Sequence, residues 1–244
     1  MWELSIRLKK EFSKPADFIF NSLKKDGANF GAIITKLEQH GNIDIVIACE
    51  EYDKARLKIF TSNAIIEAIC TYFKQDFLEG ALKLPIKEGL YFHALKKALI
   101  SFDKETDSFL ISKYLDLDTN INLESFYYFK LRALRDKWAE LTNIANENGY
   151  FLINNENFVD LLKFLVDNLE ITHDTINVYF ENDTYKILDG KNRDLQVMQD
   201  EDIVSSIIGL SPRQINIYGE INKDEKVCLL EQIYSKRVHF KSIN

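Results

Sequence analysis

A chain of 244 residues with 46% hydrophobic and 12% aromatic residues is long enough to bury a sizeable core and too apolar for disorder. No uninterrupted apolar run approaches the roughly 18–20 residues that a membrane span needs. The formal net charge of −7 argues against diffuse attraction to phosphate backbones, so nucleic acid is not an expected partner of the whole molecule.

Cys49, Cys70 and Cys228 are odd in number, far apart and set among apolar neighbours, which fits reduced core thiols rather than a disulfide framework. The opening ten residues alternate and carry Glu3 and Arg7, unlike a signal peptide, so the expected compartment is the cytoplasm.

Trp2, Leu4, Ile6 and Leu8 alternate with Glu3, Ser5, Arg7 and Lys9, the period of a strand with one solvated face. Ser13 and Pro15 open a helix whose inner stripe is Phe18, Ile19 and Leu23, ending near Asp26-Gly27. Residues 31–37 and 43–49 are β-rich and joined by a hairpin-length link through His40-Gly41. Over residues 55–60 Arg56 and Lys58 alternate with Leu57 and Ile59, which favours a strand, with Thr61 or Ser62 capping a helix to about Glu79 and Gly80 just beyond it.

From Pro85 to about Leu117 two helical segments follow. Leu90, Ala94, Leu95, Ala98 and Leu99 point inward in the first, and Phe109, Leu110, Tyr114 and Leu115 in the second; Asp103 to Asp107 divides them. Residues 122–146 then read as one central helix of about seven turns, capped by Asn122 and stopped by Asn148-Gly149. Leu123, Tyr127, Leu131, Leu134 and Trp138 share its inner face, so Trp138 is expected to be largely buried. Asn154 caps another helix through Phe158, Leu162 and Leu165. Asn182-Asp183 makes a hairpin turn, and Asp200-Glu201-Asp202 opens a helix that stops at Gly209. Pro212 begins a strand, and a helix from about Asp224 returns the chain to a strand near Val238. A helix of that length predicts that the strands near Ile215 and Val238 are parallel in one sheet, joined by a right-handed crossover.

The expected class is therefore α+β. An N-terminal α/β unit over residues 1–80, a helical middle over 81–171 spanned by the long helix, and a C-terminal α/β unit over 172–244 are expected to pack as one body.

The chemistry-bearing residues do not assemble into a recognised site. His40, His93, His173 and His239 lie in separate segments without metal-ligand spacing, and no phosphate-cradling glycine loop is present, so no metal, cofactor or catalytic residue is assigned. Acidic clusters at Glu50-Glu51, Asp116 with Asp118, and residues 200–202 fall at turns or helix starts, where the dipole and water account for them. On the central helix Lys130, Arg132, Arg135 and Lys137 interleave with Tyr127, Tyr128, Phe129 and Trp138. That composition suits nucleic-acid platforms, but those place it on a sheet or groove rim. Arg132 and Arg135 project away from the apolar stripe and are the candidate partner-binding residues, although a solvated face with an Arg132 to Asp136 pair is the plainer account.

Ser125-Phe-Tyr-Tyr-Phe-Lys-Leu-Arg132 resembles the Phe-x-x-Phe-Arg-Leu signature of the YtxC-like family of sporulation proteins, and Leu210-Ser-Pro-Arg-Gln-Ile-Asn-Ile-Tyr218 resembles its Ser-Pro-x-x-Ile-x-Ile-Tyr segment. The likeness extends through Leu229 to Phe240 and leaves the first 80 residues matched only in coarse pattern. Lys130 departs from the expected arginine, keeping the charge but losing the bidentate fork. The resemblance implies a role in sporulation and no reaction or cofactor. The reading is then a non-enzymatic cytoplasmic protein that works through contacts with an unidentified protein partner. An enzyme with an unrecognised active site, or a nucleic-acid binder using a local basic patch, is the alternative.

Overall fold

Strand β1 (Trp2–Lys9) buries every second side chain and pairs antiparallel with β3 (Asn42–Cys49), so that Leu4 faces Ile47, Ile6 faces Ile45 and Leu8 faces Ile43. One face of this sheet is thus continuous hydrocarbon, as period-two alternation requires. The computed structural model describes residues 1–27, 31–84, 89–147, 155–181, 184–195, 202–219 and 225–241. The expected cap and turn residues Pro85, Asn148-Gly149, Asn154, Asn182-Asp183, Asp200-Glu201 and Asp224 lie outside them.

The chain divides into two compact units: Met1–Ala81 with Glu105–Thr142, and Leu82–Lys104 with Asn143–Asn244. In the first unit a four-stranded sheet has the order β2-β3-β1-β4. Strand β2 (Ile33–Gln39) meets β3 through His40 and Gly41. Both turn residues have positive φ, 51° and 77°, the geometry that matches a tight hairpin to strand twist. The short β4 (Ile121–Asn122) lies parallel to β1 on its other side. Helix α1 (Ser13–Gly27) packs on the apolar face through Ala16, Ile19 and Leu23.

The strand expected over residues 55–60 is instead helical. Helix α2 spans Lys54–Ala68 and buries Leu57, Thr61, Ala64, Ile65 and Ala68, the three- and four-residue spacing of a helix face. The short charged alternation fits either period, and the longer stripe downstream decides it; Ile59 is left 61% exposed. Thr61 is accordingly a buried interior residue rather than a cap. The chain continues through a π turn (Ile69–Phe73) into α3 (Lys74–Ala81), which contains Gly80.

Helix α5 (Lys104–Tyr114) also turns differently from expectation: it buries Asp107 and Ile111 and leaves Phe109 and Tyr114 exposed. The polar divider thus supplies the helix's first buried contact. The single helix expected over residues 122–146 is interrupted. A first turn, α6 (Leu123–Ser125), passes into a π turn (Phe126–Lys130), Leu131 leaves helical geometry at φ −101° and ψ 32°, and α7 runs over Arg132–Glu147. Asn122 does cap the start, accepting from the Ser125 N–H at 2.8 Å.

In the second unit the sheet order is β6-β5-β7-β8. Strand β5 (His173–Glu181) pairs antiparallel with β6 (Thr184–Asp189) and parallel with β7 (Pro212–Tyr218). As expected, β7 is parallel to β8 (Val238–Lys241), with Ile215 opposite Val238, and α10 (Glu225–Tyr234) lies between them in sequence. Ile176, Val178, Ile187, Ile215 and Ile217 form the buried face, and α4 (Leu90–Ser101), α8 (Asn155–Asp167) and α9 (Ile203–Leu210) contribute the apolar helical faces. The Asp202 carboxylate caps α9 by accepting from Val204 and Ser205 N–H. That helix runs one residue past Gly209, and Ser211 takes the left-handed position at φ 39°. The class is α+β, as the alternation of patterns predicts.

Candidate functional site

The first unit carries its unusual chemistry where its two π turns meet. A π turn widens one helical turn and is enriched at functional sites. Phe73, at the end of the first, lies with its ring 4.9 Å from that of Tyr127 in the second, and Phe12 stacks on Phe73 at 5.0 Å. Trp138 closes the cluster against Phe77 at 5.7 Å and Tyr127 at 6.2 Å. The expected burial of Trp138 holds, with only 1% of it exposed.

Beneath these rings sits an ionic group. Asp107, 0% exposed, accepts from Lys74 Nζ at 2.8 Å and from the Trp138 indole N–H at 3.0 Å, and Lys137 Nζ lies 3.4 Å away. Lys74 is itself 1% exposed. Burial pulls its ammonium below the usual lysine range, and the neighbouring Asp107 carboxylate, which opposes that shift, does not cancel it. A carboxylate with three donors is satisfied. With both members sealed from solvent, the pair's chemistry is to fix α3 against α5 and α7 at one register. Cys70 Sγ, 3.7 Å from Ser108 Oγ, adjoins it, and burial pushes this thiol up to about 11.

The interrupted helix presents the opposite situation. Tyr127 points inward while Tyr128 is 49% and Phe129 81% exposed. Leu131, 1% exposed, anchors the far side of the turn. A helix break frees carbonyls that need donors. The guanidinium of Arg135 supplies one, giving an Nη2–H to the Tyr128 carbonyl at 2.7 Å while lying over the rings of Tyr127 and Tyr128 at 5.5 and 5.3 Å. Glu124, also buried, accepts the Lys9 main-chain N–H and ties the first turn of this segment to β1.

The two candidate arginines therefore occupy different environments. Arg132 reaches into solvent with its side chain 84% exposed, 3.8 Å from Asp136. Arg135 is folded back on the turn that precedes it. Lys130 is exposed beside Phe129. Sequence reasoning missed Lys74 and Asp107. Lys74 falls between Phe73 and Phe77 on an otherwise apolar stripe, and Asp107 stands four residues before Ile111, so a buried pair was readable had both helices been phased from their flanking apolar residues.

A two-unit α+β protein, with an exposed aromatic and basic turn braced by Arg135 and a buried ion pair fixing the helices of the first unit, is the class that fold and geometry define. The chain belongs to the YtxC-like family, whose model matches residues 102–239. No curated protein and no solved structure matches it. Among the described residues no helix is long and apolar enough to cross a membrane, and no cluster of histidine, cysteine and carboxylate side chains could hold a metal ion.

Proposed function

We propose that this chain serves sporulation as a non-enzymatic cytoplasmic protein, and that it docks an acidic protein surface on the π turn formed by Tyr128, Phe129 and Lys130 together with Arg132. The observation that carries this reading is the placement of Phe129, which occupies the second aromatic position of the family-like signature yet stands 81% exposed. The first aromatic position, Phe126, packs against the core, as does the signature's Leu131. A large ring held in water by a braced turn contributes little to folding and is the kind of anchor that interfaces bury. Lys130 and Arg132 flank it with positive charge on a molecule that is acidic as a whole, which favours an acidic partner and steers its approach.

Phe129→Ala combined with Arg132→Glu removes the anchor and reverses one charge without touching the core. The unfolding free energy should stay within about 1 kcal/mol of the parent, as surface changes do. In a strain lacking the natural protein, the parent chain should restore spore formation and the double variant should not. Normal spore yield in the deletion strain, or full rescue by the folded double variant, would overturn the reading.

A further inference from the structure

The first unit's sheet ends on β2, which has no strand on its outer side among the described residues. Along an edge strand every second main-chain N–H and C=O points outward, a template for another strand. Natural edges are blunted by outward charges, but over residues 33–37 the face of β2 turned from the core carries Ile33, Thr35 and Leu37. Ile33 is 70% and Leu37 43% exposed. Lys36 is on the other face, held by Asp17 at 2.7 Å with Glu38 at 3.7 Å.

We propose that two copies of this chain associate through β2, antiparallel about a two-fold axis at Thr35, joining their N-terminal sheets edge to edge. The strand matches itself in that register. Ile33 of each copy lies opposite Leu37 of the other, Thr35 lies opposite its own equivalent, and Lys36 lies beside Ile34. Aliphatic and threonine cross-strand pairs of this kind are favourable. An axis one residue further on would set Lys36 against Lys36, a like-charge pair that disfavours it. The match is a property of this strand with itself, which singles out a second copy rather than a foreign strand as the occupant.

Light scattering on the full chain across a concentration series should show a reversible dimer, and Ile33→Lys with Leu37→Lys should weaken self-association at least tenfold while circular dichroism stays unchanged. Cross-linking reads the register. In a Cys228→Ser background, Thr35→Cys places two thiols on paired residues about 4.5–5.5 Å apart at Cα, within disulfide reach. Leu37→Cys places them about 14 Å apart, four strand residues away. With oxidised glutathione as oxidant, Thr35→Cys should yield a covalent dimer and Leu37→Cys should not. A chain that stays monomeric at all concentrations, a dimer indifferent to both lysines, or preferential cross-linking at position 37 would each overturn the proposal.

Discussion

Asp107 shows how one polar residue can set the arrangement of several helices. Taking two charges out of water is unfavourable, and their mutual attraction compensates only where geometry and further hydrogen bonds are good. Here the carboxylate collects Lys74, Trp138 and Lys137, one donor from α3 and two from α7. Removing one partner of such a pair leaves an uncompensated buried charge, typically at about 3–5 kcal/mol, so its value is specificity of packing more than net stability. The adjoining thiol yields a pH signature. Cys70 ionises near 9.0 when free and near 11 when folded, so above pH 9 the unfolded chain gives up its proton first and unfolding becomes easier. The contribution is intact below pH 9 and lost as pH rises through 11; it amounts to about 1.4 kcal/mol at pH 10. Chemical denaturation at pH 8 and pH 10 should therefore show a loss in the parent that Cys70→Ala reduces by about that amount. Equal losses in the two proteins would mean that the thiol is not sequestered.

At the scale of elements, the π turn at Phe126–Lys130 divides the two candidate arginines by role. Arg135→Met keeps an unbranched apolar stem but deletes a charged hydrogen bond to the Tyr128 carbonyl, a loss of about 1.5–3 kcal/mol. Arg132→Met removes only an exposed pair and should change stability by less than about 1 kcal/mol. Urea unfolding of both variants checks the contrast, and equal effects would deny Arg135 its bracing part. The same segment shows what a sequence can yield. Apolar positions from Leu123 to Trp138 locate the helical face, but a π turn keeps the residue types of an α-helix and shifts only the hydrogen-bond register, so the break at Leu131 leaves no compositional mark. Residues 55–60 failed for a related reason: four alternating residues cannot outweigh a stripe that begins at Leu57 and continues through Ala68. The parallel pairing of β7 and β8 was legible because α10 is long enough to reverse the chain. Phe129 falls outside the stripe that the 3.6-residue period assigns to the core, in keeping with its exposure, but nothing in the pattern distinguishes it from the other aromatic residues of the segment.

For the molecule as a whole, the discontinuity of the first unit governs when it can form. Residues 1–81 contain the strands β1, β2 and β3 and the cation Lys74, but Asp107, Trp138 and the edge strand β4 arrive only with residues 105–142. A fragment of residues 1–81 should consequently lack a cooperative unfolding transition by circular dichroism, because its lysine would have to be buried without a counter-charge. A sharp two-state transition in that fragment would show that the ion pair is dispensable. A ribosome adding about 5–20 residues per second needs roughly three to twelve seconds to pass from residue 81 to Thr142, and the segment clears the exit tunnel later still. Throughout that interval β1 lacks its β4 neighbour and Lys74 its counter-charge. The discontinuity therefore sets a clock in biosynthesis: the first unit cannot be completed until residues 105–142, with the Asp107 carboxylate and β4, have been made.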